Sequence, residues 1–145
     1  MAEKHETTIR RLFDDVWNKG NLKVIDEICT PDVANNDPIN PVRGLDAMKG
    51  VVRKYRTAFP DCRFDVDEIA STGDTCFARW RYSGTHQGAL EGIAPTGRRV
   101  SGTGLVLCHF MGDRMSQMYV NWDALGMMQQ LGVVTLPGKA AQAGA

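Results

Sequence analysis

The sequence predicts an α+β domain in which helices pack over the concave face of a curved antiparallel β-sheet. Two observations predict this class. Apolar residues recur at helical spacing through the first part of the chain, whereas apolar and polar residues alternate in strand-like stretches through much of the second part. Helices followed by a meander of long strands form a layered domain, and this arrangement leaves a pocket between the sheet and the helices.

The first two helices are bounded by glycine, asparagine and proline. Over residues 3–18 the apolar side chains fall on one face, and Gly20 can adopt the left-handed conformation that ends many helices. Asn21 can cap a short second helix that runs through residues 22–28. Pro31 is expected to end this helix, because proline cannot continue the backbone hydrogen bonding.

Two further helices and four strands complete the predicted fold. A third helix spans residues 45–59 and stops before Pro60. Alternation of apolar and polar side chains marks the strands, which are residues 63–67, 76–82, 99–110 and 115–122. The last helix begins at Asp123 and ends before Gly132. Residues 1–134 are therefore expected to form one domain, and residues 135–145 a flexible tail.

The strand predicted over residues 99–110 has two faces, and neither is polar enough to be simply solvated. One face carries Val100, Gly102, Gly104, Val106, Cys108 and Phe110. The other carries Ser101, Thr103, Leu105, Leu107 and His109. We expect one face to line the pocket and the other to be buried against a second subunit, which predicts a homodimer.

Composition favours a small-molecule or protein partner. The 17 Lys and Arg residues balance the 17 Asp and Glu residues, so no net field attracts nucleic acid or an anionic membrane. No stretch approaches the roughly 18 apolar residues of a membrane span, and the first residues contain no apolar signal core. A cytoplasmic location is expected. The four cysteines lack the spacing of a zinc site and are interpreted as reduced core thiols, with no metal expected.

Five segments in the same order resemble the SnoaL-like polyketide cyclases, also called ester cyclases. They are VWNKGNLKVIDEICTPDV (16–33), NDP (36–38), AFPDCRFDVDEI (58–69), GTHQGALEGIAPTGRRV (84–100) and WDALGMMQQLG (122–132). The resemblance implies a fold like that of nuclear transport factor two and ketosteroid isomerase, a cone of curved sheet closed by helices over an apolar cavity. Members of the family are usually dimers.

The resemblance also implies a reaction. In the founding cyclases an intramolecular aldol addition closes a ring of an apolar, carbonyl-rich polyketide without metal or cofactor. An acid/base aspartate with a nearby histidine moves the protons. In this sequence the positions that correspond to the aspartate and the histidine are Val120 and Val106, neither of which can transfer a proton. The ring-closing chemistry therefore needs a different acid/base group here.

The remaining titratable groups each have a structural and a functional interpretation. Asp123 can cap the last helix or turn inward as a catalyst. His86 can fix its own loop or reach a ligand at the mouth of the cavity. His109 is expected in the interface or the core. Asn36, in the turn-forming run 35–38, can shape the turn or bind a ligand carbonyl.

Large side chains of the core are expected to line the cavity as well. These candidates are Trp17, Phe59, Trp80, Tyr82, Met118 and Trp122, together with Val106 and Val120. Trp80 and Tyr82 are singled out because their polar tips could also orient a ligand. Two alternatives to a cyclase stay open. One is a non-catalytic binding or scaffold protein, and the other is an epoxide hydrolase with an Asp-Arg-Asp relay.

Overall fold

The computed structural model describes residues 2–138. The helices are α1 (Ala2–Arg11), which continues as a π-helix over Leu12–Trp17, α2 (Lys23–Ile28), α3 (Leu45–Ala58) and α4 (Ala124–Gln130). The strands are β1 (Cys29–Asn36), β2 (Val42–Arg43), β3 (Arg63–Thr72), β4 (Thr75–Thr85), β5 (Arg99–Met111) and β6 (Arg114–Trp122). Residues 139–145, most of the predicted tail, lie outside the described range.

The six strands form one sheet in the order β2-β1-β6-β5-β4-β3. The α+β class and the curved sheet are confirmed, but the sheet is mixed rather than wholly antiparallel. The exception is β1, which runs parallel to β6, with Asn35 beside Met118. Alternation along the chain predicts where a strand lies, but it does not show that an early strand pairs with the last one.

Strand β1 was not predicted, because its sequence CTPDVANN is rich in residues that favour turns. Helix α2 ends at Ile28, and Pro31 lies inside the strand that follows, not at the end of the helix. The pairing of β1 with β6 is irregular between Cys29 and Ala34. Pro31 falls in this interruption, where its missing N–H costs the sheet no hydrogen bond.

The first helix changes its winding before it ends. Over Leu12–Trp17 it becomes a π-helix, and the N–H of Asn18 donates to the carbonyl of Phe13 across 2.9 Å. The side chain of Asn18 then binds both backbone groups of Phe64 on β3. Arg56 of α3 donates to the carbonyl of Trp17 across 2.6 Å. These contacts hold the π-helix over the sheet, and such segments often occur at functional sites.

The two faces of β5 differ as the alternation predicted. Val106 and Cys108 are buried against the helices, at 3% and 0% exposure. On the opposite face Leu105 is 54% exposed and Leu107 is 37% exposed. The sheet therefore has an inner face that belongs to the core and an outer face that carries uncovered apolar side chains.

All four cysteines are free, and three of them are fully buried in the core. Burial, followed by the charge of Asp26, raises the pKa of the Cys29 thiol to about 12. Burial also raises the pKa of Cys108 well above its usual value, with smaller contributions from Cys76 and Cys29. These thiols stay protonated at neutral pH and pack as small apolar groups.

Within residues 2–138, no helix is both long enough and apolar enough to cross a membrane.

Candidate functional site

A cavity of about 80 Å³ lies between the sheet and the helices, with room for several water molecules. Aromatic side chains dominate its walls. They are Phe13, Trp17, Tyr55, Phe64, Trp80, Tyr82 and Trp122. Three polar side chains, Asn35, Asp37 and Asn40, line the cavity near the end of β1. The cavity is thus an aromatic enclosure that contains one carboxylate among the described residues.

Two glycines of β5 make room for the aromatic side chains of β4. Gly104 and Gly102 are the cross-strand partners of Trp80 and Tyr82. A Cβ at Gly102 would meet the Tyr82 hydroxyl at 2.7 Å, and a Cβ at Gly104 would overlap the indole of Trp80. The rings therefore lie down over β5 in space that a larger residue would fill, and this packing fixes their position in the cavity wall.

Trp80 and Tyr82 each carry a hydrogen-bond donor that lacks a protein partner. The indole Nε1 of Trp80 and the hydroxyl of Tyr82 are buried, and neither has a hydrogen bond within the described part of the chain. Burial raises the pKa of Tyr82 far above its usual value, and the charge of Asp123 raises it further. The phenol therefore stays protonated. An unpaired buried donor costs free energy, so an acceptor atom that reached either group would stabilise the protein.

Asp37 is the carboxylate of the cavity, and it is only 5% exposed. Its Oδ1 accepts from the N–H of Ile39 at 2.9 Å. Its Oδ2 accepts from the Nε1–H of Trp122 at 3.1 Å and from the Nδ2–H of Asn40 at 3.2 Å. Two donors from the turn that follows Asp37 and one from the end of β6 thus hold the carboxylate in one orientation in the cavity wall.

Tyr55 completes the polar wall from α3. Its hydroxyl accepts from Nδ2 of Asn40 at 3.0 Å, and its ring contacts Trp122 edge-on at 5.9 Å. Burial raises the pKa of Tyr55; the hydrogen bond with Asn40 lowers it, and the charges of Asp37 and Glu91 raise it further. Tyr55 therefore also stays protonated and is the second tyrosine hydroxyl of the cavity wall.

The structure places most of the predicted ligand-binding side chains in the cavity wall. Those that line it are Trp17, Trp80, Tyr82, Val106, Met118, Val120 and Trp122. Phe59 is instead buried beside the imidazole of His86, at a ring distance of 5.4 Å. Asn36 is exposed and donates to Gln117 on the neighbouring strand, because alternation along β1 turns it away from Asn35 and Asp37. Phe59 and Asn36 therefore lie outside the cavity wall.

The two predicted catalytic candidates also lie outside the cavity wall. Asp123 is exposed and caps α4, since its Oδ1 accepts from the N–H of Gly126 at 2.8 Å. His86 is fully buried, and its Nδ1 accepts from the N–H of Thr96 at 3.1 Å, which fixes the loop of residues 86–98. His109 is exposed on the outer face of the sheet rather than in the core. None of these histidine or carboxylate groups reaches the aromatic enclosure.

The polar wall was missed because the strand that carries it was missed. Asn35 and Asp37 are two residues apart, which places them on the same side of an extended chain. Recognition of β1 would have predicted this.

Within residues 2–138, no three His, Cys, Asp or Glu side chains come together in a way that could hold a metal ion.

The chain is similar to one protein family and to several solved structures. The family model of SnoaL-like polyketide cyclases matches residues 7–131. TsrD from Streptomyces laurentii is 23% identical, with a TM-score of 0.83 over 91% of this chain and 97% of TsrD. IdmH from Streptomyces antibioticus, a proposed polyketide cyclase, is 29% identical, with a TM-score of 0.77 over 89% of this chain and 99% of IdmH. No curated protein matches the sequence.

A relative with a different proposed activity has the same fold. AclR from Streptomyces galilaeus, a proposed hydroxylase, is 23% identical, with a TM-score of 0.81 over 92% of this chain and 88% of AclR. The fold alone therefore leaves the chemistry open, and the side chains of the cavity have to decide it.

Proposed function

We propose that this chain, which belongs to the SnoaL-like polyketide cyclase family, catalyses proton transfer and ring closure on an apolar, carbonyl-rich small molecule. The observation that carries the proposal is the content of the cavity. One positioned carboxylate, Asp37, shares an aromatic enclosure with two residues whose buried donors have no partner, Trp80 and Tyr82. A base together with donors for an oxyanion is the minimum that enolate chemistry requires.

The reaction is an intramolecular aldol addition. The carboxylate of Asp37 takes a proton from a carbon between two carbonyl groups, and the resulting enolate oxygen accepts from the Tyr82 hydroxyl and the Trp80 N–H. The enolate carbon then attacks a second carbonyl of the same molecule, so that one carbon–carbon bond forms. The new alkoxide takes the proton back from the Asp37 carboxylic acid. No atom is lost, and the base returns to its starting state.

The assignment to Asp37 accounts for the two valines. Val106 and Val120 are cross-strand partners on β5 and β6, and both line the cavity. They supply an apolar surface for the body of the ligand, whereas the polar groups come from the end of β1, from α3 and from β4. In this proposal the acid/base function has a different place in the cavity from the one that the resemblance implies.

A non-catalytic binding protein is the second candidate, and the apolar character of Val106 and Val120 favours it. The same aromatic walls and unpaired donors would then retain a carbonyl compound without changing it. The epoxide hydrolase alternative has less support, because no arginine lines the cavity in residues 2–138. Arg79 and Arg81 instead pair with Glu68 and Asp67, and both are exposed.

Hydrogen–deuterium exchange tests the proposed function without knowledge of the natural substrate. Ethyl benzoylacetate has an acidic carbon-bound proton between two carbonyls, and its exchange in deuterated buffer is followed by proton NMR. We expect the protein to accelerate this exchange and Asp37→Asn to lower the acceleration by about 10²-fold or more. Asp123→Asn is the matched control and keeps full activity. Binding without exchange by the unaltered protein would favour the second candidate.

We also propose that two copies pair through the outer face of the sheet. Phe77, Leu107 and Tyr119 lie side by side across β4, β5 and β6, and are 47%, 37% and 45% exposed. With Leu105 they form an apolar patch, which we call the outer patch. A symmetric dimer would cover the patch of each copy with that of the other.

A further inference from the structure

We propose that Lys54, which does not line the cavity, is a positioning residue for Asp37 and acts by fixing the side-chain orientation of Asn40. The inference rests on the proposed function, in which Asp37 is the base. It concerns three side chains in series, from the surface of α3 to the carboxylate. We call this series the Lys54 chain, which consists of Lys54, Asn40 and Asp37.

The Lys54 chain is continuous. The ammonium group of Lys54 donates to Oδ1 of Asn40 at 2.7 Å and forms an ion pair with Glu91. Asn40 is 5% exposed, and its Nδ2 donates to Oδ2 of Asp37 and to the Tyr55 hydroxyl. The amide of Asn40 therefore connects a partly exposed cation to the carboxylate of the cavity.

The chemistry of the two end groups fixes the orientation of the amide. An ammonium group can only donate hydrogen bonds, and an ionised carboxylate can only accept them. Asn40 must therefore present its oxygen to Lys54 and its nitrogen to Asp37. Rotation of the amide by half a turn would place the oxygen against the carboxylate and the nitrogen against the ammonium. Lys54 is thus the group that keeps a donor directed at Asp37.

Tyr55 is bound to the same amide. Its hydroxyl oxygen accepts from Nδ2 of Asn40, and its hydroxyl hydrogen is donated to Oδ1 of Asn40 at 3.4 Å. That oxygen also accepts from Lys54, because an amide oxygen has two lone pairs. Lys54 therefore holds an amide that binds both the base and a neighbouring hydroxyl.

Glu91 sets the charge at the outer end of the chain. Its backbone has a φ of 49°, and Gly92 follows with a φ of 79°, in a tight turn closed by hydrogen bonds between Leu90 and Ile93. Leu90 is 1% exposed and anchors the turn in the core. The carboxylate of Glu91 is therefore held beside Lys54, where it offsets part of the positive charge.

The indole resonance of Trp122 provides a test that needs no substrate. Its Nε1–H donates to Asp37, so its chemical shift follows the geometry of that hydrogen bond. In nitrogen-15-labelled protein at neutral pH we expect Lys54→Met to move the Trp122 Nε1–H resonance, because Asn40 then no longer keeps a donor directed at the carboxylate. Glu91→Gln leaves Lys54 bound to Asn40 and should leave the resonance unchanged. Lys54→Arg, which keeps a cationic donor, should restore the resonance of the unaltered protein.

Lys49→Met is the matched control, because Lys49 is another lysine of α3 that pairs with a carboxylate, Asp26, away from the cavity. It should leave the Trp122 resonance unchanged. Asp37→Asn should move that resonance and so confirms its origin. No change in Lys54→Met, or an equal change in Lys49→Met, would overturn the proposal. The exchange assay with ethyl benzoylacetate tests the proposed function separately, since these NMR spectra are recorded without substrate.

Discussion

The Nε1–H of Trp122 donates to Oδ2 of Asp37 across 3.1 Å and thereby ties the end of β6 to the segment that follows β1. The two residues are 85 positions apart in the chain. The indole ring also contacts the rings of Tyr55 and Tyr82, at 5.9 Å and 6.1 Å. One side chain thus orients the proposed base and packs against two hydroxyl-bearing rings. The parallel pairing of β1 with β6 makes this contact possible.

Replacement of Tyr82 by phenylalanine should separate ligand binding from stability. The change removes a buried hydroxyl that has no partner in residues 2–138, so the free energy of unfolding should rise by about 1 kcal/mol. Affinity for a planar enol such as benzoylacetone should fall about five- to tenfold. Urea denaturation and calorimetric titration measure the two effects. Tyr119→Phe, on the exposed outer patch, should change neither, and a loss of stability in Tyr82→Phe would contradict the account.

Replacement of Gly104 by alanine should disturb the cavity wall directly. The added Cβ overlaps the indole of Trp80, so we expect a loss of about 1 to 3 kcal/mol of stability and a change in Trp80 fluorescence. Gly50→Ala is the control, because a Cβ at that position in α3 meets nothing within 4 Å. It should raise stability by about 0.5 to 1 kcal/mol. Equal effects of the two substitutions would refute the proposed role of Gly104.

Stability should decline in alkaline solution because of the buried thiols. Folding holds the pKa of Cys29 at about 12, against an ordinary value of 9.0. Its stabilising contribution is complete below pH 9 and is lost as the pH rises toward 12, since the unfolded chain then releases a proton that the folded chain retains. The free energy of unfolding should fall by up to about 1.4 kcal/mol per pH unit for each such thiol. Urea denaturation at pH 8 and pH 10 should show this, and Cys29→Ala should reduce the decline. An unchanged decline would exclude Cys29 as a cause.

Charge on the outer patch should prevent dimerisation. Leu105 is 54% exposed and belongs to that patch, so Leu105→Lys should shift the protein from dimer to monomer in sedimentation-velocity ultracentrifugation. Val133→Lys changes another exposed apolar residue, at 45% and outside the sheet, and should leave the dimer intact. A protein that is already monomeric before substitution would disprove the proposed pairing.

Most of the fold could be predicted because its signals are local. Alternation along β5 correctly assigned Val106 and Leu105 to opposite faces of the sheet. The helical spacing before Pro60 correctly predicted α3. Strand β1 could not be recognised, because Pro31 and the asparagines of its second half favour turns when the chain is considered alone. The pairing with β6 that makes this segment a strand is a long-range contact.

The apolar part of the candidate site was predicted because its signal is local. The polar part was missed because it depends on contacts between residues distant in sequence. Trp80 and Tyr82 lie on a strongly alternating strand, so their side of the sheet could be inferred. Asp37 follows the unrecognised strand, and Trp122, which orients it, is distant in sequence. Asp123 was predicted as a catalytic candidate, but its side chain accepts a hydrogen bond from the backbone of α4.

Ligand titration of nitrogen-15-labelled protein tests the central claim most directly. The indole N–H of Trp80 is a proposed donor to the enolate oxygen, and the indole N–H of Trp122 is bound to the proposed base, Asp37. On addition of benzoylacetone, we predict that the Trp80 Nε1–H resonance moves downfield as it gains an oxygen acceptor. The Trp122 resonance should respond through Asp37, and Tyr82→Phe should weaken the binding. Binding that leaves the Trp80 resonance unmoved, or no binding by the unaltered protein, would contradict the assignment of this cavity to a carbonyl ligand.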